Sequence, residues 1–287
     1  MGKMINRESY IDLLKIISIF AVIILHCSQV VFKNKLDAIW ILSSILQSLF
    51  IWAVPVFLMI SGSNLLSYHD RYDTKQFIMK RMSRVAIPLV FWSIIWYLYN
   101  NRHALVDIDI KNFIQLFLTN NIQNIFWFFY VIIGLYMITP ILTFLTKPDY
   151  IKIGKYIIYA NFLFVGVFEF IIPQLVKITL PGEIYNIPII SNMYLALYIF
   201  GWYAAQGKFS LKAEKYIKIF GILFGVISAI AIPVVALWNG NNIKYFNSYT
   251  GFPVVLFSMA IFITVKNQFH KHVISDKLKT LLAFLAK

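Results

Sequence analysis

The chain has 287 residues, 60% of them drawn from Ala, Val, Ile, Leu, Met, Phe, Trp, Tyr and Cys and only 13% charged, with a mean hydropathy of +0.74. Soluble globular domains run near half apolar and about a quarter charged, so this composition excludes one and makes lipid the solvent. The formal net charge of +14 would suggest a nucleic-acid partner in a soluble domain, but in a membrane chain it has first to be sorted by loop.

The N-terminus carries Lys3 and Arg7 ahead of an apolar run, as a secretory signal does. Asp12 and Lys15 interrupt the start of that run and no small-residue cleavage pattern follows, so the first helix is expected to be retained. Runs of about 17 to 25 apolar residues, the length that spans hydrocarbon, predict helices over 11–32, 40–66, 122–145, 153–176 and 217–237. Shorter spans are expected over 85–99, 188–205 and 250–265. The apolar run 280–286 reads as the beginning of a ninth. The expected fold is therefore all-α, a polytopic transmembrane helix bundle of about eight complete spans and a partial ninth, forming one domain over 1–287.

These spans sort the basic residues. The N-terminus and the loops after the second, fourth, sixth and eighth spans hold 18 Lys and Arg, against six in the other loops. By the positive-inside rule this places the N-terminus in the cytoplasm, with the plasma membrane as the expected location, and leaves no need for nucleic acid.

Ionisable groups inside spans are costly unless they face a partner or a cavity, so they are the first functional candidates. In RESYIDLLKIISIFAVIILHC, Asp12 stands three residues before Lys15 and can pair with it. His26 is eleven residues beyond Lys15, three turns plus about 20°, so both project from one face about 16 Å apart. Either residue can be read as snorkelling to a headgroup layer. On one face together they suggest a cation at one end of the helix and, at the other, an imidazole able to act as general base on a hydroxyl. Cys27 points about 100° away from His26 and reads as packing. Glu169 lies at a depth close to that of His26, and could share one site with it or bond within the bundle.

Arg81 and Arg84, three apart ahead of the third span, fit two readings, an anchor on lipid phosphates or a fork for an anionic, phosphate-rich cosubstrate. In VPVFLMISG, Pro55, Ser61 and Gly62 form a kink-and-small-residue pattern that lets helices approach closely. Trp127 and Tyr136 lie on an aromatic stripe of the fourth span, commonly interface or core. The other histidines and the lone Cys27 have no ligand spacing, so no metal is expected.

At these residues the sequence resembles the integral-membrane acyltransferase family 3. RESYIDLLKIISIFAVIILH is similar to the family's first helix, VPVFLMISG to its Pro-Phe-Ser-Gly segment, and KRMSRVAIP to its Arg-x-x-Arg…Pro segment. FWFFYVIIGLYMITPIL is similar to its Trp-Phe and Tyr…Pro helix, and LYIFGWYAA to a later Phe-Gly-Tyr segment. The resemblance implies transfer of an acyl group, commonly acetyl, from cytoplasmic acyl-CoA to a hydroxyl of a surface or exported polysaccharide or related envelope molecule. Acyl-CoA would be a cosubstrate, with no bound cofactor. Further partners would be the bilayer, the glycan acceptor and polysaccharide-synthesis proteins.

Carried over by position, His26 is the essential imidazole, Lys15 with Asp12 its first-helix companions, and Arg81 with Arg84 the cationic pair. Glu169, Trp127, Tyr136 and Ser61 complete the candidate substrate-binding set. Lys15 stands where the family usually has Arg, and Ile125 where it often has His. The family's last helices are not found before Lys287, which is read as a shortened C-terminus. The competing reading is an exporter or flippase of a polysaccharide or lipid-linked glycan, which would favour symmetric halves that the sequence does not show.

Overall fold

Peptide groups inside hydrocarbon have no water to bond to, so a spanning chain must satisfy them within its own helices. The computed structural model describes residues 9–33, 37–102, 109–176, 192–239, 248–271 and 275–286, and every regular element among them is helical. Seven stretches are long and apolar enough to cross a membrane: Ser9–Cys27, Ala38–Leu65, Thr74–Asn100, Asn124–Thr146, Pro148–Glu169, Leu211–Trp238 and Phe252–Phe269. Met193–Ala205 is a shorter apolar helix, so the all-α polytopic bundle expected from the sequence is present. The chain divides into two compact units, Met1–Asn64 with Asp149–Lys287, and Leu65–Pro148.

In the first unit, α1 (Ser9–Cys27) buries Ile11, Leu14, Ser18, Ala21 and Leu25, spaced alternately by three and four residues so that they form one seam. Helix α2 (Ala38–Phe50) is capped by Asp37, whose carboxylate accepts the Trp40 N–H at 2.9 Å. Its buried face is polar, with Ser43, Ser44, Gln47 and Ser48, while Ile39, Leu42 and Leu49 point outward. That arrangement inverts a soluble helix and suits a lipid-facing one. The ladder breaks at Ile51 and Trp52 before α3 (Ala53–Leu65) begins. Pro55 has no N–H to offer the Ile51 carbonyl and its ring collides with it, so the expected kink is a full interruption.

Helix α7 (Ile151–Asn161) runs into a π-helical stretch, Phe162–Ile171, and then α8 (Ile172–Val176). Helix α9 (Met193–Ala205) is apolar on every side, and each residue from Leu195 to Ala204 is buried. Helices pack on it where glycine lets backbones meet. A Cβ on Gly62 would overlap the Tyr198 carbonyl, one on Gly201 the Met59 carbonyl, and one on Gly154 the Tyr203 ring. Gly207, at φ +60°, closes α9: its N–H bonds the Ala204 carbonyl at 3.1 Å and the Lys208 N–H the Tyr203 carbonyl at 2.9 Å. The reversal folds Phe209 back onto Phe200, with ring centroids 5.0 Å apart.

Helix α10 (Leu211–Asn239) packs along α11 (Phe252–Lys271) through Gly221 and Gly225, four residues apart, and also along α2. The last helix, α12 (Asp276–Leu285), lies against α1.

A buried ion pair ties three of these helices together. Lys266 of α11 donates to Glu214 of α10 and to the Ala204 carbonyl at the end of α9, both at 2.8 Å, and Asn267 donates to the other Glu214 oxygen at 2.8 Å. The sequence reading placed Lys266 in a loop; helix α11 instead carries it inward, where Glu214 and a helix C-terminus stabilise its charge.

The second unit contains α4 (Thr74–Asn100), α5 (Ile110–Leu118) and α6 (Trp127–Leu142), with α4 packed along α6. Asp73 caps α4, accepting the Gln76 N–H at 2.8 Å, so the helix starts well before the span expected from residue 85 and its first turns carry the basic residues. Helix α5 is short and amphipathic, and was not expected. Its Phe113 packs on Tyr97 and its Phe117 on Tyr130, while Ile110, Ile114 and Leu118 remain exposed.

Two outcomes follow from this packing. Gly62→Val should eliminate a monodisperse peak in detergent size-exclusion chromatography, whereas Gly134→Ala, which faces open space, should leave it unchanged. Glu214→Ala or Lys266→Ala should each cost about 3–5 kcal/mol in detergent unfolding. The double variant Glu214→Gln with Lys266→Met should cost less than the sum of the two.

Candidate active site

Five of the sequence candidates lie in the first unit. Asp12 sits in the first turn of α1, 1% exposed, where the helix dipole favours a carboxylate. Lys15 follows by one turn and its Nζ lies 3.7 Å from the Asp12 oxygen, so the pair expected from the i, i+3 spacing forms. Lys15 is half-buried, at the border of the α1 seam.

His26 reaches the other end of the same unbroken helix and is exposed. Its Nδ1 lies 3.1 Å from the Gln29 side-chain amide. Immediately around it the backbone is held firmly. Gln47 of α2 donates to the Leu25 carbonyl at 2.7 Å and to Ser28 Oγ at 3.0 Å, and Ser28 Oγ donates to the Ile24 carbonyl at 2.7 Å. The residues on both sides of His26 are thus fixed from α2 while the ring stays accessible. Cys27, expected as packing, is instead exposed, because the buried seam turns through Leu25 and Ser28 and leaves positions 26 and 27 outside it.

Glu169 is exposed on the π-helical stretch and shares no hydrogen bond or ion pair with His26. Helix α11 packs against both α1 and that stretch. Ser61 is half-buried on α3, next in the chain to Gly62, which meets α9.

The other four candidates lie in the second unit. Arg81 is half-buried, and its Nη2 donates to the Tyr72 hydroxyl at 3.1 Å. Lys80 stands over the same ring, 4.6 Å from its centroid, and Arg71 5.5 Å away. Arg84, one turn beyond Arg81, is exposed, so one guanidinium is docked on an aromatic shelf and the other is open. Tyr136 is buried edge-on to Phe77 at 6.4 Å, and Phe77 stacks on Tyr68 at 4.1 Å. Trp127 opens α6 and is half-buried. Among the described residues no three His, Cys, Asp or Glu side chains gather to hold a metal ion.

Gln47 and Ser28 escaped the sequence reading, although a polar residue inside a span is itself a signal, and Ser43, Ser44, Gln47 and Ser48 recur at helical spacing. The Glu214–Lys266 pair left no such signal, because its members are 52 residues apart.

Fold and residues define a class first: a multi-pass membrane protein that carries Asp12, Lys15 and His26 on its first spanning helix. The sequence model of acyltransferase family 3, described as an acyltransferase domain, matches residues 8–287. The chain therefore belongs to that family, and is a membrane transferase of acyl groups other than aminoacyl groups. Neither the curated proteins nor the solved structures compared with the chain give a match.

Gln47→Leu leaves the Leu25 carbonyl and Ser28 without their shared donor. It should lower stability in detergent by about 1–2 kcal/mol. Hydrogen-exchange mass spectrometry should show faster exchange in the peptide covering residues 24–32, and Gln29→Leu should not reproduce that change.

Proposed function

We propose that this protein transfers an acyl group, acetyl being the simplest, from acyl-CoA to a hydroxyl of a cell-surface or exported polysaccharide or related envelope molecule. The observation that carries the reading is the end of α1, where an accessible imidazole is mounted on backbone clamped by Gln47 and Ser28. Rigid backbone under a reachable base is what general-base catalysis needs.

In the proposed reaction the acceptor hydroxyl gives its proton to His26 as its oxygen attacks the thioester carbonyl. A C–O bond forms, the C–S bond breaks, and the imidazolium returns the proton to the departing CoA thiolate. The Gln29 Nε2–H donates to Nδ1 of the neutral ring at 3.1 Å, so the basic lone pair is at Nδ1 and the acceptor hydroxyl takes the place of that amide to reach it. Asp12 and Lys15 hold a compensated charge pair on the same helix. The open Arg84, with Arg81 docked on Tyr72, is suited to phosphate oxygens of the donor. Glu169, Trp127, Tyr136 and Ser61 remain candidates for acceptor contacts. With Lys266 removed from the loops, the bias of basic residues is still 17 to 6 and supports an N-terminus inside, the plasma membrane being the membrane proposed for it.

A strain lacking the gene should lose O-acyl esters from its surface glycans by mass spectrometry, and wild-type protein should restore them. His26→Ala, at equal membrane abundance, should restore less than about 1% of the esters, since a general base contributes roughly 10²–10⁴-fold. Unchanged acylation by His26→Ala would remove His26 from the mechanism. Loss of the whole polymer from the surface would favour export.

A further inference from the structure

Within the first unit, α7, α9, α10, α11 and the π-helical stretch enclose an apolar cavity of about 290 Å³. Its wall includes Tyr159, Phe162, Phe209, Ala213, Tyr216 and Met259, and none of the residues that line it is charged. Phe209 is there because of the Gly207 turn, which folds it back onto α9. Tyr159 and Tyr216 are 57% and 48% exposed, so the cavity opens sideways between α7 and α10. Outside that opening both helices carry exposed apolar side chains, Ile153 and Tyr156 on one, Phe220 and Leu223 on the other, which is a lipid-facing surface.

The rim at one end is cationic. Lys155 Nζ lies 6.0 Å from the Phe209 ring centroid. Lys208 adjoins Phe209 in the chain, and Lys212 is one turn before Tyr216. Among the described residues none of these three ammonium groups forms an ion pair, and Glu214, the carboxylate nearest to them in sequence, is already committed to Lys266 and Asn267. Tyrosines at a lateral apolar opening with free lysines a turn away match what a phospholipid presents at the interface, an alkyl chain below a phosphate.

We propose that this cavity holds one acyl chain of an anionic glycerophospholipid, whose phosphate lies among Lys155, Lys208 and Lys212. The volume is at the low end of small-ligand pockets, which span roughly 300–1,000 Å³, and admits a single chain segment rather than a whole lipid. The site is separate from the residues assigned to acyl transfer, and does not depend on that assignment.

The test is native mass spectrometry of the full chain after reconstitution in nanodiscs of equimolar phosphatidylglycerol and phosphatidylcholine. Wild type should release from the nanodisc with one phosphatidylglycerol retained, at least about threefold over phosphatidylcholine. Lys155→Gln with Lys208→Gln and Lys212→Gln should abolish the preference, and Ala213→Phe should abolish retention. Wild type also carries a readout that needs no variant, labelling by a phosphatidylglycerol with a diazirine in its acyl chain. Crosslinks in the peptides containing Tyr159 and Tyr216 support the site. Equal retention of the two lipids, a preference unchanged in the triple variant, or crosslinks confined to other peptides would overturn it. So would retention of a long-chain acyl-CoA in place of phosphatidylglycerol, which would assign the cavity to a donor.

Discussion

The enclosure of α9 is the constraint on which the first unit depends. A helix apolar on every side gains nothing in lipid from apolar neighbours as such, since hydrocarbon would serve it equally well. What holds partners to it is close approach, and each partner has a device for that. Helix α3 offers Gly62 to the Tyr198 carbonyl, α9 itself offers Gly201 to Met59, and α7 offers Gly154 to the Tyr203 ring. At the end of the helix the Ala204 carbonyl, which has no partner within its own helix, takes an ammonium from α11. Glycine contacts along its length and a charged contact at its end make α9 the common reference for α3, α7 and α11.

Polar contacts supply the specificity that apolar packing lacks here. The α2 face of Ser43, Ser44, Gln47 and Ser48 is turned inward, and Gln47 uses it to fix the end of α1. The Glu214–Lys266–Asn267 group does the same for α10 and α11 at the far side of α9. An unsatisfied donor or charge in hydrocarbon costs more than the net worth of a satisfied one, so each group discriminates strongly against misplaced helices while adding only modest stability. Gln47, which helps select one arrangement, is thereby also the residue that holds the His26 end of the site helix.

The spans were legible because hydrocarbon thickness imposes a length, and the runs beginning at Ile11, Trp40 and Ile217 exceed it. The Asp12–Lys15 pair was legible because it is local. Helix α5 was not, since nine residues fall below any span criterion and its amphipathic pattern shows only once Tyr97 and Tyr130 are placed beside it. Nor could the sequence show that the α2–α3 interruption would fall at both Ile51 and Trp52, although Pro55 marks the collision with Ile51 four residues back. At the site, residue types were readable from cost in lipid, but the difference between a docked Arg81 and an open Arg84 depends on where Tyr72 folds.

The position of Cys27 has a practical side. It is the only thiol in the chain, it is exposed, and it directly follows His26 on α1. A maleimide that cannot cross the bilayer, added to sealed cells and then to inverted vesicles, therefore reports which compartment that end of α1 faces without any engineered residue. The unaltered protein carries its own sidedness probe, one residue from the imidazole.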